Sequence, residues 1–173
     1  MIKKRVAGFL SLVFVTFLTA CSTLTTEKLT CPVTGFISET DYITKKQAGT
    51  GDILYRAYFD RVFGFCNRDG EDLEIEVVVN IKGGYHPDQA ASVKKDIKIP
   101  YFVTILDDQS NLLIKHNFTA MVQMNTEGYG QAQMRQDLRI PMANLGQVDQ
   151  AQILVGMQLT PEELQTNREE GRF

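Results

Sequence analysis

The stretch Leu73-Glu74-Ile75-Glu76-Val77-Val78-Val79-Asn80-Ile81-Lys82 decides the fold. Leu73, Ile75, Val77, Val79 and Ile81 recur at spacing two, and Glu74, Glu76, Asn80 and Lys82 fill the alternate positions. Successive side chains of a strand point to opposite faces, so this is a strand with one buried and one wet side. Val78 alone breaks the alternation. Asn67-Arg68-Asp69-Gly70 precedes it as a turn, and Gly83-Gly84 ends it.

Working outward, the same period recurs. Val33–Ser38 reads as a short first strand, followed by a polar, Gly-containing loop. Over Ile53–Cys66, the residues Tyr55, Ala57, Phe59, Phe63 and Phe65 are expected to share one inward face. Downstream rows are Ile97, Ile99, Tyr101, Val103 and Ile105; then Ile114, His116, Phe118, Ala120, Val122 and Met124; then Ala132, Met134, Leu138, Ile140 and Met142; and last Ala151, Ile153, Val155, Met157 and Leu159. Pro100 lacks an N–H, which predicts a sheet edge or a bulge. Thr160-Pro161-Glu162-Glu163 combines an N-cap Thr, Pro at the first helical position and Glu three after the cap, so a short helix to about Glu169 follows, held by Leu164 as a plug on one end of the core. About seven strands and one late helix predict an all-β fold, an antiparallel β-sandwich of immunoglobulin or fibronectin type, with a small closed barrel as the alternative.

The N-terminus has its own logic. Lys3, Lys4 and Arg5 open the chain, and the uncharged run Val6–Leu18 is too short for a bilayer span of about 20 residues. The run ends at Leu18-Thr19-Ala20-Cys21. This ending resembles the lipobox of bacterial lipoprotein precursors. The resemblance implies removal of residues 1–20, a diacylglyceryl thioether and N-acylation on Cys21, and a domain hung from the membrane by its acyl chains. Ser22 after the lipid site implies, by the rule of enteric bacteria, the periplasmic face of the outer membrane.

On this reading residues 21–30 are a Ser/Thr-rich tether and 31–173 the folded domain. Three of the 18 basic residues precede Cys21, leaving 15 against 21 acids and a net charge of −6. An acidic domain without a basic stripe is no nucleic-acid binder, and the absence of Trp argues against a stacking platform for bases or sugars. With Cys21 committed to lipid, Cys31 and Cys66 form an even pair in an oxidising compartment. A disulfide is expected, with two buried thiols or a metal pair as alternatives.

Cys31-Pro32, Cys66, Ile99-Pro100-Tyr101-Phe102-Val103, Arg139-Ile140-Pro141 and Val155-Gly156-Met157-Gln158-Leu159-Thr160-Pro161-Glu162-Glu163-Leu164 are similar to a group of alphaproteobacterial β-sandwich lipoproteins. That resemblance implies fold and compartment and no activity.

Catalytic patterns are missing. His86 and His116 stand apart, without His-x-His, His-Glu-x-x-His or Cys-x-x-Cys spacing, so no metal is expected. Asp107, Gln109 and Asn111 alternate like a calcium loop but lack its Gly and its terminal Glu, and read as a hairpin tip. Glu71, Asp72, Glu74 and Glu76 read as solvated surface, and the sequon Asn117-Phe118-Thr119 falls mid-strand. No nucleophile elbow, phosphate loop or dinucleotide fingerprint occurs. The sequence therefore predicts a non-enzymatic, lipid-anchored binding or scaffolding module for an envelope protein partner, without cofactor. The alternative is a carrier of a small apolar ligand or lipid inside the sandwich, lined by the Tyr55–Phe65 strand.

Overall fold

The computed structural model describes residues 29–87 and 96–171. The expected signal 1–20, the expected lipid site Cys21 and residues 22–28 of the expected tether lie outside the described residues. Among the described residues no helix is long and apolar enough to cross a membrane.

Eight strands form one sheet: β1 Val33–Phe36, β2 Tyr42–Lys46, β3 Ile53–Asp69, β4 Asp72–Tyr85, β5 Ile97–Leu106, β6 Leu112–Met124, β7 Tyr129–Pro141 and β8 Gln152–Met157. The order is β1-β8-β5-β6-β7-β4-β3-β2. The fold is all-β with one C-terminal helix, α1 (Pro161–Glu170), as expected. The architecture differs from the expected seven-stranded antiparallel sandwich. It is a curled, half-barrel sheet of eight strands, and its β1–β8 pair is parallel. The strand missed in the sequence is β2, whose Tyr42, Ile43 and Thr44 are all buried, so no period of two marks it.

The segment joining β1 to β2 closes the curl on one side. Thr40 O accepts from Met157 N (2.7 Å) on β8, and Asp41 O accepts from Phe59 N (2.9 Å) on β3, so one short connection is bonded to both halves of the sheet. Cys31 and Cys66 are bonded across the same side, with Cα atoms 5.6 Å apart. Gly64 on β3 is needed there, because a Cβ would come within 2.7 Å of Thr34 Cγ2 on β1.

The interior is filled. Leu73, Ile75, Val77, Val79 and Ile81 of β4 face Ile99, Tyr101, Val103, Ile105, Ile153 and Val155, all essentially buried. Phe36 stacks on Phe59 (5.4 Å between centroids), Phe59 meets Tyr101 edge-on (6.2 Å) and Tyr101 meets Phe118 (5.5 Å). The aromatic row thus crosses the core from β1 to β6, in the offset and edge geometries that ring quadrupoles favour.

Three local expectations need correction. First, β3 carries a bulge: Phe59 pairs with Ile81, but Arg61 pairs with Asn80. One extra residue reverses the facing of everything after it. Tyr55, Ala57 and Phe59 face in; Val62, Gly64 and Cys66 continue inward, and Phe63 and Phe65 face out, 42% and 58% exposed. Val78 is buried on that outer face, in register between Phe63 and Arg135. Second, Pro100 sits in interior strand β5, neither at an edge nor at a bulge; the β8 ladder starts one residue later at Tyr101↔Met157. Third, α1 is held by polar contacts along β2. Its capping box is formed, Thr160 with Glu163. Asn167, 2% exposed, donates through Nδ2 to Glu39 O and Tyr42 O (both 2.8 Å), and Tyr42 Oη donates to Asn167 O (2.5 Å). Lys45–Glu163 (2.7 Å) and Lys46–Glu170 (2.8 Å) complete the attachment, while Leu164 is only half-buried. The helix lies along the edge strand β2, where it shields a sheet edge, and it is not a plug for the core.

Candidate functional site

The opposite side of the curl is open, between β6 and β7. These two 13-residue strands are joined by the turn at Asn125–Gly128, where Asn125 N donates to Tyr129 O (2.7 Å) and Asn125 Oδ1 accepts from Tyr129 N (2.9 Å). Their ladder then runs for two pairs, Gln123↔Gln131 and Met124↔Gly130. Gly130 permits this close approach, since a Cβ there would lie 2.1 Å from Gln123 O. Beyond it the strands part. β6 stays with β5 as far as Leu112, and β7 stays with β4 as far as Pro141. Each strand directs alternate N–H and C=O groups sideways, so the facing edges of β6 and β7 carry main-chain donors and acceptors outside the β6–β7 ladder.

The flanks of this opening are the inward rows of both strands. On β6, Val122 and Ala120 are buried, Phe118 is half-buried, and His116 is exposed although it pairs with fully buried Val103. On β7, Ala132, Met134 and Gln136 are half-buried and in register with core positions Ile81, Val79 and Val77. Exposure of inward-facing residues shows that the sheet does not close here. Gln136 Nε2 spans it once, donating to Tyr101 Oη (2.9 Å) on β5. Burial pushes the Tyr101 phenol above its ordinary pKa, with the Gln136 bond acting the other way, so it stays protonated near neutral pH.

A second concavity, about 730 Å³, lies over the β3–β4–β7 end of the sheet. Arg56, Tyr58, Lys82, His86 and Tyr129 line it above the Gly83-Gly84 floor, and Lys82 Nζ is 3.1 Å from Asp60. Tyr85 belongs to the same wall, and burial raises its pKa.

The residues singled out from sequence separate cleanly. His86 lines the concavity and His116 the opening, in different places, with His116 6.3 Å from the Phe118 ring. Of the acidic set, Asp72, Glu74 and Glu76 are paired on the outer face: Arg139 contacts Asp72 (2.7 Å), Glu74 (3.5 Å) and also Asp69 (2.8 Å), and Arg135 pairs with Glu76. Asp107 organises its hairpin by accepting from Gln109 N (2.9 Å), Asn111 N (2.7 Å) and Asn111 Nδ2 (2.9 Å), and these bonds, those from Asn111 foremost, hold its carboxyl below the usual range. Asn117 lies within β6. Among the described residues no group of three His, Cys, Asp or Glu is placed to hold a metal ion. Cys21 lies outside the described residues. Sequence reasoning missed the β6–β7 opening altogether, and the exposed His116 in an otherwise apolar inward row was its one trace.

No family model matches the chain, and no curated protein matches it. Among solved structures, the crystal structure of a DUF1425 family member from Shewanella sp. pv-4 is similar at 12% identity and a TM-score of 0.38, over 73% of this chain and 96% of that one.

Proposed function

We propose that this chain is a lipid-anchored, non-enzymatic binding module of the cell envelope, tethered through Cys21, that docks an extended segment of a partner protein at the β6–β7 opening. One observation carries the reading: two 13-residue strands that pair with each other at only two positions. Main-chain groups on such edges give affinity to an added strand, and side-chain pockets give it selectivity. The flanks suit this division, with Phe118 and Met134 as apolar contacts and His116 and Gln136 as polar ones. The filled interior, with Phe59 and Tyr101 fully buried, favours this reading over the carrier of an apolar ligand.

The test is site-specific photo-crosslinking in intact cells. A photo-reactive side chain at position 116 or 134 is expected to capture a discrete partner, and one at position 74 or 98, on the outer face, is not. Equal capture at all four positions, or none at 116 and 134, would remove the docking site.

A further inference from the structure

The β3 bulge has left two aromatic rings in solvent at a particular place. Phe65 precedes Cys66 by one residue and Phe63 by three, and Val33, 61% exposed, follows Cys31 by two. Three large exposed apolar side chains therefore lie within three residues of the Cys31–Cys66 bond. That bond fixes where the tether meets the domain. From Cys21 to Leu29 the chain advances eight residues, a reach of at most about 29 Å. A compact domain of this length has a radius of gyration of roughly 15 Å, so it is roughly 35–40 Å across. Such a tether cannot carry the anchor around to the far side. On the lipid-anchor reading, the disulfide end stays within that reach of the bilayer.

We infer that Phe63, Phe65 and Val33 rest in the interfacial layer of the membrane that holds Cys21, and so set the orientation of the domain. The inference rests on the lipid-anchor reading above. Exposed apolar side chains of this kind gain by leaving water for the boundary between headgroups and acyl chains. Neighbouring charge is mixed: Glu74, Glu76, Asp137 and Arg139 line the same surface as Phe65, and Arg61, Arg68 and Asp69 lie on the same strand. The contact is thus apolar, and zwitterionic lipid suffices for it.

The chain contains no Trp, so Phe65→Trp introduces a single reporter. Tyr129→Trp is the control: Tyr129 pairs with Gly84, and Gly84 with Arg56, nine residues from Phe65 along β3, or about 30 Å. The lipidated mature protein is reconstituted in phosphatidylcholine vesicles with and without brominated acyl chains, and flotation is read alongside fluorescence. Flotation with at least twofold quenching at position 65 and none at 129 is the expected result, and Phe63→Trp serves equally if the first variant folds poorly. Flotation with equal quenching at the two positions, or none at 65, overturns the membrane contact and leaves the anchor standing. Failure to float overturns the anchor, and the contact falls with it.

Discussion

Truncating Phe59 and Phe65 separately distinguishes the bulged β3 from a regular one. A regular strand puts both rings in the core and makes Phe59→Ala and Phe65→Ala equally damaging. In the bulged strand Phe59 is fully buried between Phe36 and Tyr101, while Phe65 is 58% exposed. A phenylalanine carries about 150–250 Å² of surface, of which Phe65 hides less than half. At about 25 cal/mol per Å², and allowing for the methyl group that remains, Phe65→Ala should cost under about 2 kcal/mol and leaves no cavity. Phe59→Ala removes a ring enclosed on all sides and should cost about 3–5 kcal/mol. Urea unfolding of the soluble domain beginning at Ser22, followed by circular dichroism with the disulfide intact, measures both. A Phe65→Ala cost equal to that of Phe59→Ala would refute the bulge.

Replacing Cys31 and Cys66 together by Ser opens a loop of 35 residues, which the chain-entropy relation values at about 4 kcal/mol; an unfolding midpoint unchanged by the double substitution would contradict the cross-link. Thr160→Ala removes the hydroxyl that accepts from Glu163 N, while the main-chain N–H of residue 160 can still donate to Glu163 Oε2, and it should cost about 1 kcal/mol, read as a lower melting temperature. Tyr55, Tyr85 and Tyr101 have pKa values raised chiefly by burial, and Lys45 is raised chiefly by its bond to Glu163. The folded state therefore holds these protons more tightly than the unfolded chain, so their contribution is complete below about pH 10 and declines above it. A urea midpoint that rises on alkaline titration through that range would contradict the assignment.

How much of this was legible in the sequence depends on what a period of two can say. It reports which way a side chain points along one regular strand. β4 is regular, and its five inward residues are all buried. The cap of α1 was legible for a similar reason, because Thr160, Pro161 and Glu163 act within one turn. β3 was read correctly to Phe59 and wrongly after it, because Asp60 at the bulge is an ordinary polar residue and the aromatic spacing runs on through it. The attachment of α1 by Asn167 was invisible, since its partners are main-chain oxygens of Glu39 and Tyr42, far away in sequence. The opening was hidden for the same reason. Ile114, Phe118, Ala132 and Met134 form proper inward rows, but a row does not reveal whether the next strand closes over it.

Residue-resolved amide hydrogen exchange on β6 and β7 addresses the docking edge directly. Along β6, the amides directed at β5 should be protected and the alternate ones, directed at the opening, should exchange quickly from Leu112 to Met121, with the mirror pattern on β7 between Gln133 and Arg139. Protection should become uniform near Gln123 and Gln131, where the two strands do pair. Uniform protection along both strands in the isolated domain would mean that β6 and β7 are zipped together, and that no edge is left for a partner to occupy.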